Sequence, residues 1–382
     1  MNHKVIVSLT SFPPRIKYVS QTIKSLLNQT YEPYKILLYL SKEEFLNGIM
    51  DLPKELVDLQ KNNDIFDIEW VSENLKSYKK LFYAANRFGE EYPIITVDDD
   101  INYSSEVIEL LMSSYMKYPK DIHCHRAWKF IFDENKILVK ENIIGDHWGE
   151  GSYLNMPTGV GGVLYPPSSY HEDFFKKELF LDLAPTADDL WFWCMAVLND
   201  VKIRLVDYNI DYLNYIEDSQ EGPSLFKINV FGEELNKVYI QKLLQHYEKL
   251  NNKLLLEFKM SKSQFQKYDV TNKISLVKRD LIDYLERNLI GNNSAKVIIW
   301  GTGERGLSLE KYLRENCIDV NFFMDSNFNK YCDEESNEIS LIKLRDIPTD
   351  AIVLISTNYI FHNDIYIRLS KHGIKNIVCI VE

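Results

Sequence analysis

The chain has 382 residues, of which 45% are hydrophobic and 26% charged, a composition typical of folded globular proteins and a length sufficient for two or three domains. Its formal net charge of −12 disfavours binding along a nucleic-acid backbone. The five scattered cysteines predict a reducing cytoplasm rather than a disulfide framework or a zinc site. No apolar run approaches about 18 residues, and Val5–Leu9 is too short for a signal-peptide core, so neither a transmembrane helix nor an export signal is expected.

Residues 4 to about 126 alternate strand-like and helix-like segments, which predicts βαβ units and a mostly parallel sheet. The strands are predicted at 4–9, 35–40, 65–71, 93–98 and 121–126. Helices are predicted around Val19, Ile23, Leu26 and Leu27, which share one helical face, and at 51–60 and 78–88. The fold class expected from this order is α/β with a doubly wound sheet.

The end of the first predicted strand is followed by Thr10–Arg15. Thr10 and Ser11 fall where a base and ribose would lie, and Arg15 is placed to pair with phosphate, although a surface arginine is nearly as plausible. Lys79 and Lys80 present the same choice between phosphate and surface. We expect a phosphate contact from one of them, with Lys79 as the candidate.

Three consecutive acids, Asp98, Asp99 and Asp100, come directly after the apolar run Pro93–Val97. Ligands of open α/β sheets bind beyond the carboxyl ends of buried parallel strands, so these acids fall at the expected active edge. Three adjacent carboxylates need a cation to offset their charge, and their oxygens suit Mg²⁺ or Mn²⁺. The spacing predicts that Asp98 and Asp100 hold the metal. A solvated acidic turn is the alternative.

From about 127 to 187 the periodicity gives way to glycine, proline and aromatic residues, a composition typical of functional loops. Gly159–Gly162 is either a flexible turn or a place where a ligand approaches the backbone closely. His147 and Trp148 lie in a similar loop and are further candidates for ligand contact. His123 and His125 share one face of a strand, where hydrogen-bonded core histidines are favoured over a metal pair.

The acids Asp188 and Asp189 open a predicted helix, residues 188–198, which is followed by a strand at 202–206. Acidic residues are stabilised at helix N-termini, so a structural role is one interpretation. The functional interpretation is a general base that accepts a hydroxyl proton, with Asp189 favoured over Asp188.

The carboxyl-terminal part begins after a polar, Lys-rich helical segment, residues 233–293, which we predict to be a bridge between domains. The strand Lys296–Trp300 then leads into the glycine pattern of Gly301–Gly306, a helix to about residue 316 and a strand at 320–325. Further strands at 351–355 and 376–381 flank a helix at 360–372. This order predicts a small Rossmann-like domain, residues 294–382, with a nucleotide pyrophosphate on the amides of the glycine turn. The predicted nucleotide-binding residues are Gly301, Gly303, Gly306 and Asp325.

Five stretches, in this order, resemble the GT-A glycosyltransferases, in particular the family-2-like bacterial enzymes that build capsular polysaccharide and lipopolysaccharide. They are Ser8–Arg15, Ser25–Thr30, Val97–Asp100, Gly161–Pro166 and Thr186–Asp189. The resemblance implies a GT-A domain over residues 1–232, a nucleoside-diphosphate sugar as donor, a divalent metal at Asp98 to Asp100 and a base at Asp188 or Asp189. Members usually invert the anomeric centre, and they more commonly carry Glu-Asp than Asp-Asp at the base position. The carboxyl-terminal residues resemble the small Rossmann-type domain of bacterial sugar acyltransferases.

The function expected on this interpretation is metal-dependent, inverting transfer of a sugar to a hydroxyl of a surface glycan or a lipid-linked glycan. The donor-side residues would be Thr10, Ser11, Arg15, Lys79 and Asp99, and the acceptor-side residues Gly161, Gly162, His147 and Trp148. The protein would act in the cytoplasm or at the inner face of the membrane, with peripheral membrane association and homo-oligomer formation left open. Two alternatives remain: an NAD(P)-dependent oxidoreductase organised around Gly301–Gly306, and a non-catalytic sensor of nucleotide sugars.

Overall fold

The computed structural model describes residues 3–132, 138–142, 151–206, 214–219, 235–265, 274–289, 296–301, 304–324, 342, 346–356, 365–366, 369–370 and 372–381. These residues form two compact units, the first containing the described residues up to 260 and the second those from 261 onward. The strands are β1 (Ile6–Thr10), β2 (Lys35–Ser41), β3 (Phe66–Val71), β4 (Ile94–Thr96), β5 (Ile122–Cys124), β6 (Ala127–Phe132), β7 (Leu138–Asn142), β8 (Gly151–Ser152), β9 (Asn155–Pro157), β10 (Val163–Tyr165), β11 (Ile203–Leu205), β12 (Ile274–Val277), β13 (Val297–Trp300), β14 (Phe322–Met324), β15 (Ile352–Ile355) and β16 (Asn376–Val381). The helices are α1 (Val19–Leu27), α2 (Lys54–Asn62), α3 (Lys79–Phe88), α4 (Val107–Lys117), α5 (Lys177–Leu183), α6 (Asp188–Leu198), α7 (Leu235–His246), α8 (Glu248–Phe265), α9 (Lys278–Leu289) and α10 (Glu304–Glu315).

The main sheet of the first unit contains eight of the described strands in the order β3-β2-β1-β4-β10-β5-β11-β8. The pairs β1–β2, β1–β4, β2–β3 and β5–β11 are parallel. The central strands are nearly continuous runs of buried apolar residues, as expected of a sheet covered on both faces. The α/β fold class with a mostly parallel sheet is therefore confirmed.

The central strand β10 runs in the opposite direction to its neighbours. β10 is antiparallel to β4 on one side and to β5 on the other, with Val163 opposite both Thr96 and Cys124. Because β10 is antiparallel, its amino end lies at the edge where β4 has its carboxyl end. The glycine segment that precedes β10 is thereby brought beside the acids that follow β4.

The region predicted to be irregular, residues 127–187, contains regular structure that its sequence did not indicate. β6 pairs antiparallel with β7 and with β9, forming a separate small sheet. α5 lies in this region as well. The predicted helix α6 follows it and is buried along most of its length, including two fully buried tryptophans, Trp191 and Trp193. These short strands, of two to six residues, contain too few alternating positions for the periodicity of a strand to be recognised.

The second unit is built on a parallel sheet of five described strands in the order β12-β16-β15-β13-β14. Its core contains Val297 and Ile299 of β13, Leu354 of β15 and Leu309 of α10. At the start of α10, a Cβ added to Gly306 would lie only 1.7 Å from the carbonyl oxygen of Gly301, so only glycine allows the helix to pack this closely on the turn.

The segment predicted to be a helical bridge is divided between the two units. α7 packs against α5 and α6 of the first unit, and Lys253 of α8 contacts the Val197 carbonyl and Asp200 there. β12 is a strand of the second sheet, where the sequence predicted helix. None of the described helices combines the length and the apolarity that a membrane crossing requires.

Candidate active site

The acids that follow β4 lie beside the residues that follow β1. The two strands are parallel with Ser8 opposite Thr96, so the chain leaves both at the same edge of the sheet. Ser11 donates a hydrogen bond from its hydroxyl to Asp99 Oδ2. Arg15 Nη1 lies 3.1 Å from Asp99 Oδ1 and 2.8 Å from Asp100 Oδ2. One guanidinium therefore holds two of the three consecutive carboxylates.

Burial and ion pairing have opposite effects on the pKa values of Arg15 and Asp99. Burial works to lower the pKa of Arg15, but the carboxylates of Asp99 and Asp100 outweigh it and raise that pKa. Burial raises the pKa of Asp99, against the opposing effects of Arg15 and Ser11. Arg15 is consequently a permanent cation at this edge, with its side chain 17% exposed.

Asp98 faces a different cation from its two neighbours. Its Oδ1 lies 3.1 Å from Nζ of Lys80, in the first turn of α3. Its backbone N–H donates to the hydroxyl of Tyr103, which in turn donates to the carbonyl of Val160. Tyr103 therefore connects the backbone of the acidic turn to the glycine segment before β10. The carboxylate of Asp98 remains 30% exposed and accessible to a ligand.

The second acidic pair, Asp188 and Asp189, contacts the same ammonium. Lys80 Nζ lies 3.0 Å from Asp188 Oδ2 and 3.6 Å from Asp189 Oδ1. The other oxygen of Asp189, Oδ2, accepts a 2.9 Å hydrogen bond from the N–H of Gly159. A Cβ added to Gly159 would lie 2.5 Å from Lys80 Nζ, 3.0 Å from Asp189 Oδ1 and 3.3 Å from Asp98 Oδ1. The absence of a side chain at position 159 is what lets these three groups converge.

Burial and ion pairing have opposing effects on the pKa values of Lys80 and Asp189. Burial works to lower the pKa of Lys80, but Asp188, Asp98 and Asp189 together raise it well above its ordinary value. Burial raises the pKa of Asp189 to about 6, with Asp188 and Asp98 adding to the rise and Lys80 opposing it. A carboxylate with a pKa near neutrality can both accept and release a proton efficiently at physiological pH.

The remaining predicted residues divide into those at this edge and those directed elsewhere. Thr10 donates from its hydroxyl to the Tyr39 carbonyl of β2. Lys79 is paired with Glu44 and also contacts Asn74, so it points away from the carboxylates that its neighbour Lys80 contacts. Gly161 packs against Arg126, and Gly162 has a φ of +89°, which only glycine adopts readily. His147, Trp148, Gly303 and Asp325 lie outside the described residues.

Three residues that complete the site were not among the predicted site residues: Lys80, Tyr103 and Gly159. Two adjacent lysines on a helix point about 100° apart, so only one of them can face the acids, and the sequence does not fix which. Tyr103 belongs to a chain rich in tyrosine, 24 residues in all, in which no single one stands out. Gly159 belongs to the segment Gly159–Gly162, whose role the sequence left open.

Both strand histidines make hydrogen bonds within the protein. His123 Nε2 lies 3.0 Å from the Tyr118 carbonyl, so it must donate, and Nδ1 at 2.9 Å accepts from the Ser114 hydroxyl. His125 Nε2 lies 3.1 Å from the Val107 carbonyl. The core interpretation of this pair therefore agrees with the contacts.

We expect His123 to make stability depend on pH. Burial lowers its pKa to about 4, with the nearby Arg204 adding to the effect, whereas an unfolded histidine titrates near about 6.5. The folded state therefore binds fewer protons, and stability should fall as the pH drops from about 6.5 towards 4, by up to about 3 kcal/mol. Urea unfolding at several pH values should show a shallower loss in His123→Gln than in wild type. The exposed control His3→Gln should follow wild type; equal slopes for all three proteins would refute the assignment.

A divalent metal would have to be held jointly by the protein and a ligand. Among the described residues, no three acidic, histidine or cysteine side chains are arranged as a ready-made metal site. However, five carboxylates meet here, and their ion pairs include the cations Arg15 and Lys80. Mg²⁺ is commonly bound by one or two carboxylates together with substrate phosphates. The exposed carboxylate of Asp98 fits that mode, and Asp100 would join it if Arg15 turned to a phosphate.

No protein-family model matches the sequence, and no curated protein matches it either. Among solved structures, the chain is similar to residues 1–349 of TarS from S. aureus, with 15% identity over 75% of this chain and 79% of that chain and a TM-score of 0.38. The complex of that fragment with UDP gives 15% identity over 74% and 78%, with a TM-score of 0.35. The chain is also similar to the 2-C-methyl-D-erythritol 4-phosphate cytidylyltransferase of Francisella tularensis, with 12% identity over 54% and 91% and a TM-score of 0.33. All these TM-scores lie below 0.5, so the function has to be derived from the side chains of the site.

Proposed function

We propose that the first unit is a GT-A-type glycosyltransferase that transfers a sugar from a nucleoside diphosphate to a hydroxyl acceptor. The observation that carries this proposal is the convergence of two carboxylate groups from separate elements. Asp98 follows β4 and Asp189 begins α6, and both lie within 3.6 Å of Lys80 Nζ. Such a transfer needs one carboxylate group beside the departing diphosphate and another beside the attacking hydroxyl.

The donor side is assigned to the residues at the ends of β1 and β4. Asp98 and Asp100 would hold a divalent ion, Mg²⁺ or Mn²⁺, whose role when bound is to neutralise charge on the diphosphate. Arg15, now paired with Asp99 and Asp100, has the planar guanidinium suited to a phosphate. Thr10, Ser11 and Asp99 line the same edge.

The acceptor side is assigned to Asp189 as general base. Its carboxylate is 30% exposed, whereas that of Asp188 is 8% exposed and lies against Lys80. Gly159 holds Oδ2 of Asp189, which leaves Oδ1 to accept the proton of an incoming hydroxyl. Direct attack by that hydroxyl on the anomeric carbon would invert its configuration. The acceptor we propose is a hydroxyl of a surface glycan or a lipid-linked glycan.

The nucleotide site of the second unit remains a separate proposal. The close packing of Gly306 on Gly301 is what the glycine pattern requires of a turn before a helix. A nucleotide pyrophosphate on the first amides of α10 would be consistent with that packing.

The experiment that tests the main proposal is thermal unfolding with UDP, GDP, CMP, dTDP or NAD⁺, each with Mn²⁺ or with EDTA. A ligand at about 100 times its dissociation constant stabilises a protein by about 2.7 kcal/mol, a shift of several degrees. We expect one nucleoside diphosphate to stabilise the protein only with Mn²⁺, and Asp98→Asn to lose that shift. The matched control Asp67→Asn, on β3 and paired with Lys35, should keep it. Stabilisation by NAD⁺ alone, indifferent to EDTA, would refute the proposal.

A further inference from the structure

Lys80 is the most enclosed cation of the site. Its side chain is 6% exposed, and Nζ lies 3.0 Å from Asp188, 3.1 Å from Asp98 and 3.6 Å from Asp189. These carboxylates come from two elements far apart in the chain, the turn after β4 and the first turn of α6. Within the described residues, Lys80 is the ion-pair partner shared by the two groups.

Neither the burial of this lysine nor its position on α3 is favourable for a cation. A buried ammonium is stable only when it is paired, and the first turn of a helix favours anions over cations. The anchoring of α3 does not require the ammonium, because the backbone carbonyl of Lys80 already accepts a hydrogen bond from the Ser8 hydroxyl of β1. The positive charge of Lys80 therefore stabilises the three carboxylates and not the helix.

The space around Nζ is also closed to additional groups. Even a Cβ on Gly159 would approach Nζ to 2.5 Å, with Asp98 Oδ1 and Asp189 Oδ1 within 3.3 Å of the same point. A small cation that bridged Asp98 and Asp189 would have to displace Nζ, which already lies 3.1 Å from Asp98 Oδ1 and 3.6 Å from Asp189 Oδ1. The ammonium and a divalent ion thus compete for one place.

We propose that Lys80 is a built-in cation that ties Asp98 to Asp188 and Asp189 and keeps a divalent ion from binding between them. The donor and acceptor sides that it joins rest on the proposed function. Lys80 is a positioning residue: it fixes the distance between Asp98 and Asp189. A divalent ion is thereby confined to the outer face of Asp98, where the phosphates of a ligand complete its coordination.

The first test measures Mn²⁺ binding without nucleotide, by calorimetric titration at neutral pH. Lys80→Met leaves three carboxylates without their cation, so we expect Mn²⁺ to bind at least tenfold more tightly than to wild type. The gain should disappear in Lys80→Met/Asp189→Asn, because the ion would sit between the two groups. Arg204→Met, which removes the Arg204–Asp121 ion pair elsewhere in the unit, is the matched control and should leave Mn²⁺ binding unchanged. If Lys80→Met does not fold, Lys80→Gln should show the same gain; unchanged or weaker Mn²⁺ binding in the folded variant overturns the proposal.

The second test separates positioning from binding in turnover. In Lys80→Met we expect kcat for sugar transfer to fall at least a hundredfold while KM for the donor changes less than threefold, since the carboxylates remain but lose their spacing. Equal losses in kcat and in donor affinity, or no loss in kcat, would count against a positioning role. If wild type transfers no sugar, the proposed function fails, and the Mn²⁺ titration still decides the role of Lys80.

Discussion

Replacing Asp189 with asparagine is expected to lower kcat by roughly 10²- to 10⁴-fold, the range that a positioned general base contributes. The amide oxygen of asparagine can still accept the N–H of Gly159, which holds Oδ2 in wild type at 2.9 Å, so the local structure should persist. What the amide cannot do is take the proton of the acceptor hydroxyl. The measurement is kcat with the nucleotide sugar identified by thermal unfolding and an excess of acceptor.

The control for Asp189→Asn is donor binding. The variant should still be stabilised by the nucleoside diphosphate and Mn²⁺, because Asp189 is assigned to the acceptor side. Activity within tenfold of wild type would show that Asp189 is not the base. Asp188 would then be the next candidate, although its carboxylate is only 8% exposed.

Gly159→Ala is also expected to lower kcat, although it adds only a single methyl group. The new Cβ would lie 2.5 Å from Lys80 Nζ and 3.0 Å from Asp189 Oδ1, distances that real Cβ contacts do not tolerate without movement. The ammonium would have to shift, and the carboxylates with it. A displacement of about 1 Å at a reacting group can cost about a hundredfold in rate, and we expect a loss of that size in kcat.

The backbone at Gly159 does not itself need glycine, because its φ is not in the left-handed region. Any loss of stability in the thermal unfolding of Gly159→Ala should therefore come from the displaced ammonium and carboxylates and not from backbone strain. Gly48→Ala, at an open position with a φ of +59°, is the converse control: it should lose stability by about 1 kcal/mol and keep its activity. A fully active Gly159→Ala would show that the spacing of the carboxylates is not critical.

The strands and helices that have a recognisable local residue pattern were predicted from the sequence. β-branched runs marked the parallel strands, and α6 begins and ends where its acids and apolar residues predicted, at Asp188 and Leu198. The direction of β10 carries no such signal. Its three residues, Val163–Tyr165, would read the same in a parallel strand, because direction depends on which neighbours the strand pairs with.

The site was predictable to a similar degree. The two acidic groups were recognisable because consecutive carboxylates at strand and helix ends are costly without a partner. Their common partner was not, because whether Lys79 or Lys80 faces the sheet edge depends on the residue at which α3 begins. A shift of one position would have placed Lys79 where Lys80 now contacts Asp98.

The antiparallel strand β10 also makes the active edge depend on contacts between distant parts of the chain. β10 pairs with β4 on one side and with β5 on the other, and β5 continues to β11. Both pairings of β4 join distant parts of the chain: β4 meets β1 across more than 80 residues and β10 across more than 60. Long loops close late, because their entropy is lost before the contacts form. The contacts of Lys80 with Asp98 and Asp189 therefore depend on pairings between distant parts of the chain, and a nascent chain should acquire its binding edge only after α6 has been made.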